Sequence, residues 1–214
     1  TGNTGKLGGG GAYVHEGTFT LGTGASIKSN IAEGSNGGGV YVDTYGTLNI
    51  NGGFIQSNKA TQSGSAIGNG GGVYVDRNST FKMHGGTIKN NTSNVGKGVY
   101  VAGGDTGKQD GDFIMGGKAC VGDWGSDGTL KDGNDVYLAR NNNSGLSARI
   151  KIDKGKPITE SKVACITPRN YTPGETVVWM SDGSSVGAYT NKFTVTPKGI
   201  QTWSVDSDGT LKTP

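Results

Sequence analysis

What this chain has little of narrows its class before any motif is read. It holds two cysteines, two histidines and five prolines in 214 residues, and aromatic side chains make up only 7%. Structural zinc takes about four clustered Cys or His ligands, a spacing that Cys120 and Cys165 do not supply. Each cysteine follows an alanine in a strand-like run, Lys-Ala-Cys-Val and Val-Ala-Cys-Ile, which suits either a buried free thiol or a disulfide. No stretch approaches the roughly 18 apolar residues of a membrane-spanning helix, and the opening Thr-Gly-Asn-Thr-Gly is not a signal peptide. The formal charge of +3 is small and dispersed, unlike the concentrated basic face of a nucleic-acid binder.

Glycine is abundant instead, at 42 residues, well above its usual share of about 7%. It does not recur at every third position, so a collagen helix is excluded. The short runs between glycines, such as Val-Tyr-Val and Ile-Lys-Ile, have the β-branched and aromatic content of strands.

These runs repeat. Gly-Gly-Gly-Val-Tyr-Val occurs twice, ending at Val42 and Val75, and degraded copies place the series of tyrosines at Tyr13, Tyr41, Tyr74, Tyr100 and Tyr137. A second strand follows each copy. In it Phe19, Leu21, Leu48, Ile50, Phe81, Met83, Phe113, Met115, Ile150 and Ile152 alternate with polar residues, which gives one buried and one wet face. A third short run, beginning at Ile27, Ile55 and Ile88, ends at Asn30, Asn58 and Asn91. Strands this short cannot bury a core within one repeat, so neighbouring repeats must stack, each strand pairing in parallel with its counterpart. The fold class expected is all-β: a right-handed, three-faced parallel β-helix of about five coils. The three asparagines are expected in a left-handed turn, with their side chains bonded from coil to coil. Residues 1–157 form the repeats, and the irregular runs of 158–214 read as a C-terminal β cap ending in a hairpin at Asp208-Gly209. Extra residues at Thr61 to Gly68 and Gly103 to Asp110 read as loops bulging between strands.

Gly-Gly-Gly-Val-Tyr-Val, then Gly-Thr-Leu-Asn-Ile-Asn-Gly-Gly and Ile-Gln-Ser-Asn, resembles repeats of large bacterial surface proteins over roughly residues 8 to 160. It is also similar to polymorphic outer-membrane protein repeats, with Ile-x-x-Asn standing where those carry Phe-x-x-Asn. The resemblance implies a pectin-lyase-like fold, an extracellular or cell-surface location and an adhesin-like role, and it implies no catalytic residue. The chain is expected to be a monomer and part of a longer protein, with further coils before Thr1.

Chemistry has few candidates. Asp43 and Asp76 both follow Val-Tyr-Val and could share a Ca²⁺, although a strand-end aspartate commonly binds turn amides instead. The glycine-rich stretch holding Asp105, Asp110, Asp112, Asp123, Asp127, Asp132 and Asp135 has neither an EF-hand loop nor the calcium nonapeptide repeat. His15 and His84 sit at unrelated repeat positions, His84 in an expected turn. The five tyrosines should form an outward ladder, which stabilises a sheet by itself and could also receive sugars on its ring faces. The function expected is that of a non-catalytic surface stalk or adhesin segment, not an enzyme, meeting a host or environmental glycan or protein; the alternative is a carbohydrate-active protein, either glycan-binding or a polysaccharide lyase.

Overall fold

The computed structural model describes residues 1–64, 67–145 and 147–213. The expected loop between Thr61 and Gly68 therefore lies partly outside the described residues, at Ser65 and Ala66. The chain is an all-β solenoid of about six turns, in which parallel strands stack coil on coil.

Val-Tyr-Val builds the first sheet. Ala12–Val14, Val40–Val42, Val73–Val75, Val99–Val101 and Val136–Leu138 pair in parallel, with every tyrosine in register with the next. The inward column Val40, Val73, Val99 and Val136 is fully buried. The sheet does not end there. Ile166 takes the place of the next valine, Thr167 that of tyrosine and Pro168 that of leucine, and Phe193–Val195 adds one more strand. Parallel pairing thus crosses residue 157 and continues to Val195.

The second sheet carries the alternating runs. Leu48, Phe81 and Phe113 lie in one register column and Ile50, Met83 and Met115 in another, all at most 1% exposed. The rings of Phe81 and Phe113 stack at 4.7 Å. Ile150–Ile152 and Val178–Met180 extend the stack. Phe19 is only partly buried, at the end of its column.

The third expected strand is not a separate face. In two coils it runs on from the second as one ten-residue strand, Thr47–Gln56 and Thr80–Lys89, whose pairing shifts register around Gly85. His84 therefore lies within a bulged strand, not in a turn. The third face comes after the asparagines, where Thr4–Gly5, Ile31–Glu33 and Lys59–Thr61 pair in parallel. Its inward residues are single alanines, Ala32 and Ala60, so no apolar alternation announces it.

The turn geometry also differs from expectation. The left-handed residues are Ser29, Ser57 and Asn90, each one position before its ladder asparagine, with φ of 55–56°. That bend frees Asn30, Asn58 and Asn91 to point inward, where they are 1% exposed. Glycine is required at the opposite corner. Gly37 has a φ of 70°, which disfavours any side chain, and a Cβ on Gly38 would stand 2.4 Å from Gly71 O of the next coil.

The runs at the chain's end divide. Ala164–Pro168, Val178–Met180 and Phe193–Val195 join the parallel stacks, whereas Ser204–Val205 and Leu211–Lys212 pair antiparallel across the expected turn at Asp208-Gly209. Val177 N and Val178 N donate to Gly209 O, so this hairpin is bonded to the last strand of the second sheet.

Candidate functional site

Three columns of side chains reach from coil to coil, and they decide what the surface can do. The first is an amide ladder. Asn30 Nδ2 donates to Asn58 Oδ1 at 2.9 Å, Asn58 to Asn91 at 3.0 Å and Asn91 to Asn134 at 3.1 Å. Asn3 adds a rung at the other end. Asn3 and Asn134 were not legible in sequence, because neither closes an Ile-x-x-Asn run.

The tyrosine ladder is the second. Its ring centroids lie 5.3, 5.0, 4.9 and 5.1 Å apart from Tyr13 to Tyr137. The first two contacts are edge-to-face, but Tyr74, Tyr100 and Tyr137 lie nearly parallel, at 9° and 20°. Their faces are therefore turned on one another along the solenoid. Sugar stacking on those faces, the expected mode of contact, is blocked there, and the groups left to meet a ligand are ring edges and hydroxyls.

The third column begins just after the first-sheet strands. Asp76 N, Ala102 N, Ala139 N and Arg169 N each donate to the strand-end carbonyl of the preceding coil, so Asp43, Asp76, Ala102, Ala139 and Arg169 are structural equivalents. Tyr41 donates its hydroxyl to Asp76 Oδ2 at 2.9 Å, and Tyr13 does the same to Asp43. The other oxygen of each aspartate accepts a turn amide, Thr44 N for Asp43 and Arg77 N for Asp76, both at 2.8 Å. For Asp43, partial burial pushes the pKa up, and the Tyr13 hydroxyl and Thr44 outweigh it, so the carboxyl sits below its ordinary range. Burial and Asp76 together push the Tyr41 phenol far above its ordinary value.

Asp43 and Asp76 are thus held as separate turn residues by tyrosine and backbone. Among the described residues, no group of three or more His, Cys, Asp or Glu side chains gathers as a metal site. The acidic stretch is similarly engaged. Asp110 accepts Gly104 N, Asp127 accepts Thr129 N, Asp132 accepts Asn90 N and Asp135 accepts Lys97 N, while Asp112 pairs with Lys151. His15 lies against Asp43, and His84 Nε2 is 2.9 Å from Asp153 Oδ2. Both cysteines are free, and burial pushes each thiol up to about 11.

Two surface grooves open on the solenoid, and the first contains the outward basic pair Arg149 and Lys151 that strand alternation already places side by side. One, of about 490 Å³, holds Arg149 and Lys151 over the ring of Trp179, at 4.9 and 5.5 Å. The other, of about 510 Å³, opens where Ala102 and Ala139 replace the aspartates, with Tyr74, Tyr100 and Tyr137 on one side and Arg77, Arg140 and Arg169 around it. Its sequence signal was the break of the aspartate series at Ala102 and Ala139, which Arg169 joins only once Ile166-Thr167-Pro168 is aligned as a further repeat.

Searched against protein-family models, curated proteins and solved structures, the chain matches none. No helix among the described residues is long and apolar enough to cross a membrane.

Proposed function

We propose that this chain is a non-catalytic module of an exported bacterial surface protein, an adhesin-like or stalk segment on a right-handed, pectin-lyase-like helix. The observation that carries this reading is the continuous amide ladder from Asn3 to Asn134, running through five coils. A fold that ties each coil to the next by buried side-chain bonds is a stiff spacer, and stiffness with outward loops is what a presenting module needs. The aspartates that might have served a lyase are engaged in turn bonds, which supports binding or spacing over turnover. The sequence resemblance supports the surface location.

The test has two arms. Brief protease treatment of intact producing cells should remove the module while a cytoplasmic marker survives, and the purified chain should release no unsaturated uronide from pectate or alginate. Protection of the module in intact cells would sink the surface role. Turnover abolished by Arg149→Ala or Lys151→Ala would establish the carbohydrate-active alternative instead.

A further inference from the structure

The tyrosine ladder changes character half-way along. Tyr13 and Tyr41 spend their hydroxyls on Asp43 and Asp76. The residues that would receive Tyr74 and Tyr100 are Ala102 and Ala139, and the one equivalent for Tyr137 is Arg169. Among the described residues, these last three hydroxyls bond to no protein group. Two methyl groups in place of two carboxylates also leave a hollow, which is the groove of about 510 Å³.

The side chains lining that hollow are cationic or neutral, while Asp76 and Asp105 lie outside it, close enough to act on Tyr74 and on Arg77. Arg77, Arg140 and Arg169 border it, and no acidic residue lines it. Arg77 donates Nε to Gly103 O at 2.8 Å, which fixes its guanidinium and leaves the terminal nitrogens available. Arg140 and Arg169 are exposed and enter no ion pair among the described residues. Burial lifts the Tyr100 phenol, while Arg77 and Arg169 pull against that rise, as cations near its oxygen must.

We infer that this groove binds an anionic glycan, with the guanidinium groups taking carboxylate or sulfate oxygens and the hydroxyls of Tyr74, Tyr100 and Tyr137 bonding the sugar hydroxyls between. Guanidinium forks suit oxyanions through paired N–H donors. The nearly parallel rings step by 4.9 and 5.1 Å between centroids, a repeat comparable to one sugar ring. A row of neutral donors beside cations fits a chain alternating hydroxyls with oxyanions better than one of phosphates alone. The assignment deepens the surface-module reading, and the two fail separately because binding and turnover are measured independently.

The experiment is equilibrium binding of the whole chain to heparin, polygalacturonate, dextran and single-stranded DNA at fixed salt. Polygalacturonate carries carboxylate alone and heparin carries carboxylate with sulfate, so heparin bound over polygalacturonate marks sulfate as the preferred anion, and binding of either above dextran and DNA is the expected result. Arg140→Ala and Arg169→Ala should each weaken it about tenfold, as loss of a charge-assisted bond does. Ala102→Asp with Ala139→Asp should abolish it by refilling the column with acceptors, while a thermal melt shows the variant folded. Lys28→Ala, on another face, should change nothing. Absence of binding to both acidic glycans, equal binding of DNA, or binding indifferent to the arginine and alanine variants would overturn the assignment.

Discussion

Asn58 donates its side-chain amide to Asn91 Oδ1 at 3.0 Å and to Ile27 O at 3.0 Å, while its own Oδ1 accepts both N and Nδ2 of Asn30. One side chain thus serves three coils. Replacing it by alanine strands two donors of Asn30 in a site that is 1% exposed. Each buried polar group left without a partner costs about 1–3 kcal/mol, so Asn58→Ala should lower stability by at least about 2 kcal/mol. Asn58→Asp should be worse, because a buried carboxylate cannot donate to Asn91. Denaturant melts that place either variant at wild-type stability would contradict a ladder that joins coils.

Close approach of successive coils makes a second prediction. A Cβ on Gly38 meets backbone, Gly71 O at 2.4 Å and Lys59 C at 2.5 Å, so nothing nearby can yield cheaply. Gly38→Ala should prevent cooperative folding. Gly22 has open space around its absent side chain and an ordinary φ, so Gly22→Ala should shift the melt little. Similar melts for the two variants would show the coils to be looser than this packing requires.

Leu48→Asp and Phe81→Asp are expected to unfold the chain, since both side chains are 0% exposed and an unpaired buried charge costs several kcal/mol, comparable to total stability. Thr47→Asp, on the outer face of the same strand, should be mild. Equal thermal shifts for inward and outward substitutions would refute the assigned face.

These inward residues were legible because strand alternation is a local signal and the repeat multiplies it. Phe81 announces its face through Met83 two positions on, and Leu48 and Phe113 repeat it. Ala32 and Ala60 gave no such signal, since one small residue between polar neighbours looks the same in a loop. Nor did Ile166-Thr167-Pro168, where threonine stands in the tyrosine position and proline at the strand end. The arginine groove was hidden for a different reason. Arg77, Arg140 and Arg169 lie far apart in sequence and meet only through the coil register.

The tyrosine column should make the fold sensitive to alkali. Asp43 and burial push Tyr13 up to about 12, and burial also raises Tyr41, Tyr74 and Tyr100 from the ordinary value of 10.0. A group with a raised folded pKa contributes its stability below the unfolded value, and loses it as pH climbs toward the folded one. Stability should therefore hold up to about pH 10 and fall above it, with phenolate absorbance and loss of strand circular dichroism rising together. Tyr74→Phe removes one such group and should flatten the dependence above pH 10. Phenolate formation near pH 10 in a chain that stays folded would show that the column is open to water.

Calcium provides the last test, because Asp43 and Asp76 are the residues at which a metal site and a turn make opposite demands. A site that binds only the folded state, with metal at a hundred times its dissociation constant, adds about 2.7 kcal/mol. For a domain of this size that amounts to a melting rise of roughly 5–10 °C. In the structure the two carboxylates instead accept Tyr13, Tyr41, Thr44 N and Arg77 N. Asp76→Ala should therefore cost about 1–3 kcal/mol through the lost bonds to Tyr41 and Arg77, and the loss should be the same in excess chelator as in millimolar calcium. A wild-type melt that rises with calcium, and stops doing so in Asp76→Ala, would turn these aspartates from turn residues into ligands.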